Sequence, residues 1–203
     1  MSAGRMIAFE GLPFTGKSTA AANLVRGSSG VAVVPDYHEL IASHDRRCMA
    51  TLSDSASDQR VRVGIYRSLD DERWNLAREL VRPVVVFDRC FVSIAAYRLA
   101  LQRTFGASRW GQSVDPETAD TRCERPVPRE ILYFDVDVDV AVERHRRLSI
   151  TIDPLLRTPA FLSSLIDAYG EVLKDCGSEV VSIDSNEPLG AVVDKVNEYV
   201  HGA

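Results

Sequence analysis

The sequence predicts an α/β fold, a five-stranded parallel sheet with helices on both faces, and three observations lead to it. Short apolar runs alternate with segments of helical periodicity along the chain. Several of the runs are continuous blocks rich in valine and isoleucine, as strands buried on both faces are. The first run passes straight into a glycine-bounded loop and then a helix. With 203 residues and 45% hydrophobic content, one core is expected, and so a single domain over 1–203.

In order, Ile7-Ala-Phe9 is the first strand and Ser18 to Val25 the first helix. Gly30-Val-Ala-Val-Val-Pro35 is a buried second strand, followed by a polar, irregular stretch to about Ser57. Val61, Ile65, Leu69, Leu76 and Leu80 then mark a long crossing helix. The third strand, 83–88, ends in Asp88 and hands over to a helix carrying Ile94, Tyr97 and Leu101. Glycines and prolines across 104–129 predict a long connection, with a helical turn around 116–121. The fourth strand is 131–135 and the fifth 180–183. Between them lie a helix at 138–148 and a stripe formed by Phe161, Leu165, Ile166, Tyr169, Val172 and Leu173. A closing helix carries Leu189, Val192, Val193, Val196 and Val200. In such a sheet the ligand site lies at the carboxyl ends of the strands.

Gly11-Leu-Pro-Phe-Thr-Gly-Lys-Ser18 matches G-x-x-x-x-G-K-[ST], the phosphate-binding loop that defines the P-loop NTPase fold. Its backbone N–H groups point inward at phosphate oxygens, an approach that glycine alone allows cheaply. Gly11, Pro13, Phe14, Thr15, Gly16, Lys17, Ser18 and Thr19 are therefore the expected ATP-binding residues. Lys17 would bridge the β- and γ-phosphates and the Ser18 hydroxyl would ligate Mg²⁺. Asp88, at the end of an apolar strand, reads as the acid that holds Mg²⁺ directly or through water, the second half of the nucleotide site, and also as a helix N-cap, roles that do not exclude one another.

A net charge of −5 gives no general attraction for nucleic acid, and no basic run suggests a membrane surface. No window has the length of a membrane span, so a cytoplasmic enzyme acting on a small anionic molecule is expected. Cys48, Cys90, Cys123 and Cys176 stand far apart and read as reduced thiols, and His38, His44, His145 and His201 form no ligand pair at helical spacing.

Asp88-Arg-Cys-Phe-Val-Ser-Ile-Ala-Ala-Tyr97 resembles the D-R-Y-x-x-S-x-x-A-Y-Q signature of thymidylate kinases, and Phe9-Glu-Gly11 with the following loop resembles their F-E-G-x-D-G-x-G-K-[ST]. Weaker similarity extends through 131–144 and the stripe at 161–173. The resemblance implies a nucleoside monophosphate kinase fold, transfer of the γ-phosphoryl group of ATP, and a homodimer. It further implies that Arg89 grips the acceptor nucleotide, with Arg67 and Tyr97 beside it. The lid of the family corresponds here to 144–158, bracketed by Arg144, Arg146, Arg147 and Arg157. An arginine there stabilises charge on the transferring group, and Arg147 and Arg157 are the candidates.

The chain also departs from the family. Pro13-Phe14 stands where the loop has Asp-Gly, Cys90 replaces the tyrosine, Arg98 the final glutamine, and Val34-Pro-Asp-Tyr-His38 follows the second strand in place of Arg-Glu-Pro. Those family positions contact the acceptor, whereas the ATP-gripping residues are intact. Deoxynucleoside kinases place an acidic base just after their second strand, in a segment resembling Val34-Pro-Asp36. Asp36 is thus either a base toward a sugar hydroxyl or a turn residue. A phosphotransferase acting on a nucleoside monophosphate is the expectation. The alternatives are a hydroxyl kinase using Asp36 and, of another class, a nucleotide-binding switch without transfer.

Overall fold

The computed structural model describes residues 4–41, 56–109, 125–148 and 154–202. Cys48, Cys123, His44, the turn expected at 116–121 and the centre of the lid-like segment lie outside them.

All five expected strands form: β1 (Arg5–Gly11), β2 (Val31–Val34), β3 (Val84–Asp88), β4 (Glu130–Asp135) and β5 (Glu179–Asp184). They make one parallel sheet in the order β2-β3-β1-β4-β5. The helices are α1 (Lys17–Gly27), α2 (Tyr37–Ile41), α3 (Ala56–Glu79), α4 (Phe91–Arg109), α5 (Val138–Leu148), α6 (Pro159–Asp175) and α7 (Leu189–His201), with a 3₁₀ turn at Pro154–Arg157.

Alternation within each strand divides the core in two. Ile7 and Phe9 of β1, Val86 of β3 and Phe134 of β4 pack against Leu24 of α1 and Val192 and Val196 of α7. Ala8, Val85 and Phe87 face the other way, toward α4 and α6. There Tyr97 meets Phe161 edge-on with ring centroids 5.2 Å apart. Both faces being covered explains why the strands read as unbroken apolar blocks.

Two boundaries differ from the sequence reading. The stretch after β2 is not wholly irregular, because Tyr37 and Ile41, one turn apart, are both buried against Leu69 of α3 and so favour the short helix α2. Asp36 Oδ1 accepts from the His38 N–H at 3.3 Å at its start. Helix α4 runs through Arg109, past the expected connection start at 104. Gly106 costs only about 1 kcal/mol within a helix, and no proline occurs between Phe91 and Pro116.

Candidate active site

The turn from β1 into α1 is built around two glycines. Gly11 has φ 128°, and a Cβ there would sit 2.5 Å from the Phe134 carbonyl oxygen of the neighbouring strand. Gly16, with φ 97°, precedes α1, and a Cβ would meet Leu189 of α7 at 2.7 Å. Phe14 is also left-handed, φ 66°, and its ring packs on His145 of α5 at 4.8 Å. Pro13 is half-buried, while Ser18 and Thr19 are exposed at the start of α1.

The Lys17 side chain turns back into this loop. Its ammonium donates to the Gly11 carbonyl at 3.1 Å, to Thr15 Oγ1 at 2.8 Å and to the Leu12 carbonyl. Thr15 in turn donates to the Leu12 carbonyl at 3.1 Å. Burial, and then repulsion from Arg89, push the lysine well below its usual range, against the opposing pull of Asp88, Glu10 and Asp36.

Because Phe9 pairs with Asp88, β3 delivers Asp88 and Arg89 to the mouth of the loop. Asp88 is 3% exposed, and its Oδ1 has no hydrogen-bond partner among the described residues. Helix α4 starts at Phe91, so Asp88 lies two residues before the capping position, Cys90. Arg89 adopts φ 67°. This left-handed turn sends its guanidinium back over the loop: Nε donates to Asp36 Oδ2 at 3.1 Å, and Nη1 to the Gly11 carbonyl at 3.1 Å and to Ser93 Oγ and Tyr169 OH, both at 3.2 Å. Burial opposes its charge, but Tyr169, Asp36, Glu10 and Asp88 together raise its pKa above the usual arginine value.

Beneath lies Glu10, fully buried although it sits in an apolar strand. One carboxylate oxygen accepts the Cys90 N–H at 2.7 Å; the other accepts from Ser93 Oγ and from Tyr169 OH at 3.2 Å. Burial, with Glu10 next, raises the Tyr169 hydroxyl far above the usual tyrosine range, which keeps it a neutral donor. Asp36, Asp88 and Glu10 thus surround Lys17 and Arg89, three carboxylates around two cations.

The remaining expected residues are spread more widely. Arg67 is half-buried on α3, its carbonyl accepting from Arg125 at 2.6 Å. Tyr97 lies between α4 and α6 against Phe161. Arg147 is exposed on α5 and ion-paired with Glu143 at 3.0 Å, and Arg157 is exposed at the end of the 3₁₀ turn. Arg144 instead reaches across to the Glu187 carbonyl at 2.8 Å. It bounds a cavity of about 580 Å³ that also touches Asp139, Glu143, Arg147, Asn186 and Leu189. Leu189 lies between this cavity and Gly16 of the loop.

Sequence reasoning assigned no role to Glu10, Tyr169 or Arg73. For Glu10 a signal existed: an acid between Phe9 and Gly11 in a strand buried on both faces must have partners.

A family model described as an AAA domain matches residues 6–182. A thymidylate kinase from Akkermansia muciniphila is 30% identical over 153 residues, which is 70% of this chain and 66% of that protein's length. Among solved structures, a deoxyadenosine kinase from M. mycoides with products dCMP and a flexible dCDP bound superimposes with a TM-score of 0.70 at 13% identity, covering 98% of this chain and 100% of that one. A thymidylate kinase from Candida albicans superimposes with a TM-score of 0.69 at 20% identity, covering 100% and 93%. At these identities the superpositions establish the fold, while the family match spans most of the sequence. The chain belongs to the AAA domain family and is a divergent, thymidylate kinase-like member of the P-loop proteins.

Proposed function

We propose that this protein is a small-molecule kinase that moves the γ-phosphoryl group of ATP onto a nucleoside monophosphate. One observation carries the reading: Arg89 Nη1 lies 3.1 Å from the Gly11 carbonyl, so the acceptor-side arginine touches the loop that would cradle the donor. An anionic acceptor phosphate held by Arg89 would face the end of the donor's phosphate chain. Transfer needs this in-line positioning and neutralisation of charge more than it needs a base.

The residues present fit MgATP. The loop N–H groups and the N-terminus of α1 suit its phosphates, and Lys17 would exchange its carbonyl partners for phosphate oxygens. Ser18 Oγ, exposed at the head of α1, and the unpartnered Asp88 Oδ1 suit the metal. The cavity beside Arg144 has room for the nucleoside part. When bound, MgATP supplies the transferable phosphoryl group and the metal's charge. Arg147 and Arg157, in the lid-like segment 144–158, are the candidates to close over that group, with Arg67 and Tyr97 on the acceptor side. We take the cytoplasm as the place of action, a homodimer as the working assembly and 1–203 as one kinase domain; no helix among the described residues is long and apolar enough to cross a membrane.

The ion pair between Arg89 and Asp36 favours a second reading. An arginine already paired with a carboxylate is less available to an anionic acceptor, and Asp36, two residues past β2, would then be the base that accepts a proton from a hydroxyl. Two substitutions separate the readings. With a monophosphate acceptor such as dTMP, Arg89→Ala should raise KM by roughly ten- to hundredfold, the equivalent of losing ~1.5–3 kcal/mol of charge-assisted bonding. Asp36→Asn should then have a milder effect on kcat. With a hydroxyl acceptor such as deoxyadenosine the order reverses. Steady-state kinetics on both acceptors, with products identified by mass, decide the matter; ATP bound but no acceptor modified would mark a switch instead.

Asp88→Asn should raise the Mg²⁺ concentration needed for half-maximal turnover while leaving nucleotide affinity without metal nearly unchanged, since the loop's backbone donors remain. A magnesium titration of rate alongside a fluorescent nucleotide-binding assay measures this, and an unchanged metal dependence would remove Asp88 from the metal site.

A further inference from the structure

Arg73 heads the fully buried side chains by size, and no role has been given to it so far. It projects from α3 into the gap between the ends of β2 and β3. Its Nε donates to the Pro35 carbonyl at 2.9 Å, and its Nη2 to the carbonyls of Asp88 and Arg89 at 2.9 and 2.6 Å. The guanidinium carbon lies 4.0 Å from the centre of the Tyr37 ring and 5.6 Å from that of Phe87. Tyr37 OH donates to Asp70 at 2.6 Å, one turn back on α3, and Arg125 Nε lies 3.6 Å from the same carboxylate.

The three carbonyls are not arbitrary. Those of Pro35 and Asp88 belong to the peptide units that lead into Asp36 and Arg89, and the third is that of Arg89 itself. One rigid planar group therefore ties together the backbones whose side chains pair at 3.1 Å above it. The Arg89 carbonyl that it grips belongs to a residue at φ 67°, a left-handed conformation unfavourable for a non-glycine residue. A buried ion set among well-packed apolar groups is often no more stable than an apolar replacement, so stability alone is a poor reason for an arginine here. Only a fork of coplanar donors reaches all three carbonyls; a lysine ammonium does not present that fork.

We propose that Arg73 is a positioning residue, which sets the geometry of the Asp36–Arg89 pair by gripping the backbone on either side of it. The functional meaning rests on the reading of that pair as the acceptor end of a kinase site, but its geometry can be tested separately. In ¹⁵N-labelled protein the Arg89 Nε–H, identified by its loss in Arg89→Lys, should exchange slowly with solvent because it is held by Asp36 in a partly buried ion pair. In Arg73→Met that exchange should quicken by roughly tenfold or more, as local opening becomes easier. Val196→Ala, buried on α7 in the core on the opposite face of the sheet, controls for general loosening and should leave the exchange near the parent rate once matched for thermal stability. Arg73→Lys retains the charge and is the variant to examine if the methionine protein does not fold; it too should quicken exchange. With dTMP as probe, Arg73→Lys should raise the acceptor KM roughly tenfold while the KM for ATP stays within about twofold.

Unchanged Nε–H exchange in the Arg73 variants, or equal acceleration in Val196→Ala, would overturn the proposal. If neither dTMP nor deoxyadenosine is phosphorylated by the parent protein, the kinase reading fails while the exchange result still decides whether Arg73 positions Arg89.

Discussion

Lys17→Met is expected to abolish phosphoryl transfer while leaving a folded protein at least as stable as its parent. The lysine is the one loop side chain able to carry positive charge to the β- and γ-phosphates, and no described neighbour substitutes for it; Arg89 is held by Asp36, Ser93 and Tyr169. Stability should move the other way because burial already penalises the ammonium. With the folded-state pKa below lysine's usual 10.5, the unfolded chain binds the proton more readily between those two values. Parent stability therefore rises with pH through that window and levels off above it, and the rise should be missing in Lys17→Met. Thermal unfolding across the alkaline range, together with an ATP-consumption assay, measures both halves. Substantial turnover in the folded variant would defeat the kinase reading.

Glu10→Ala should be the most damaging single change to stability among those considered. It strands the Cys90 N–H, removes the acceptor of Ser93 and Tyr169, and leaves the partly buried Arg89 and the buried Lys17 with one compensating carboxylate fewer. Breaking a buried charge arrangement from one side costs about 3–5 kcal/mol, which for a chain of this size is a fall in Tm of roughly 6–20 °C. Glu10→Gln should fall between the two, because its amide oxygen can still accept from Cys90 while its NH₂ group can donate to the hydroxyls. Differential scanning calorimetry of the three proteins gives the order. Equal Tm values for parent and alanine variant would mean that water or rearranged hydroxyls replace the carboxylate.

What the sequence reveals is what local pattern controls. The loop from Gly11 to Ser18 is legible because its geometry demands glycine at two fixed positions, and the strands are legible because burial on both faces leaves no polar alternation. Asp88 follows from its place at the end of β3, whereas Arg89 is singled out only by the resemblance of Asp88–Tyr97 to the thymidylate kinase signature. Arg73 is hidden because it sits in Asp70-Asp71-Glu72-Arg73, a run that resembles a solvated helix face. Its burial depends on carbonyls 15, 16 and 38 residues away, and no period along the chain reports such contacts. Tyr169 is legible as part of an apolar stripe, but its hydroxyl's position among Glu10, Ser93 and Arg89 is not, since it follows from α6 crossing the end of β1. Helix α2 is missed for a similar reason, as Leu69 of a distant helix supplies the surface that makes Tyr37 and Ile41 worth burying.

The central place of β1 has a consequence for how the chain is made. Arg5 pairs with Val84, and Ile7 with Glu130. At roughly 5–20 residues per second, the ribosome needs about 4–16 s after producing the start of β1 before its first partner strand exists, and longer before the second. Through that interval Ile7, Ala8 and Phe9 have no sheet to enter, and the buried acid among them has none of its partners Cys90, Ser93 and Tyr169. The nascent protein therefore carries its nucleotide loop ahead of any scaffold able to hold it. Chaperones that shield apolar segments at the exit tunnel would have β1 to cover until β3 and β4 emerge.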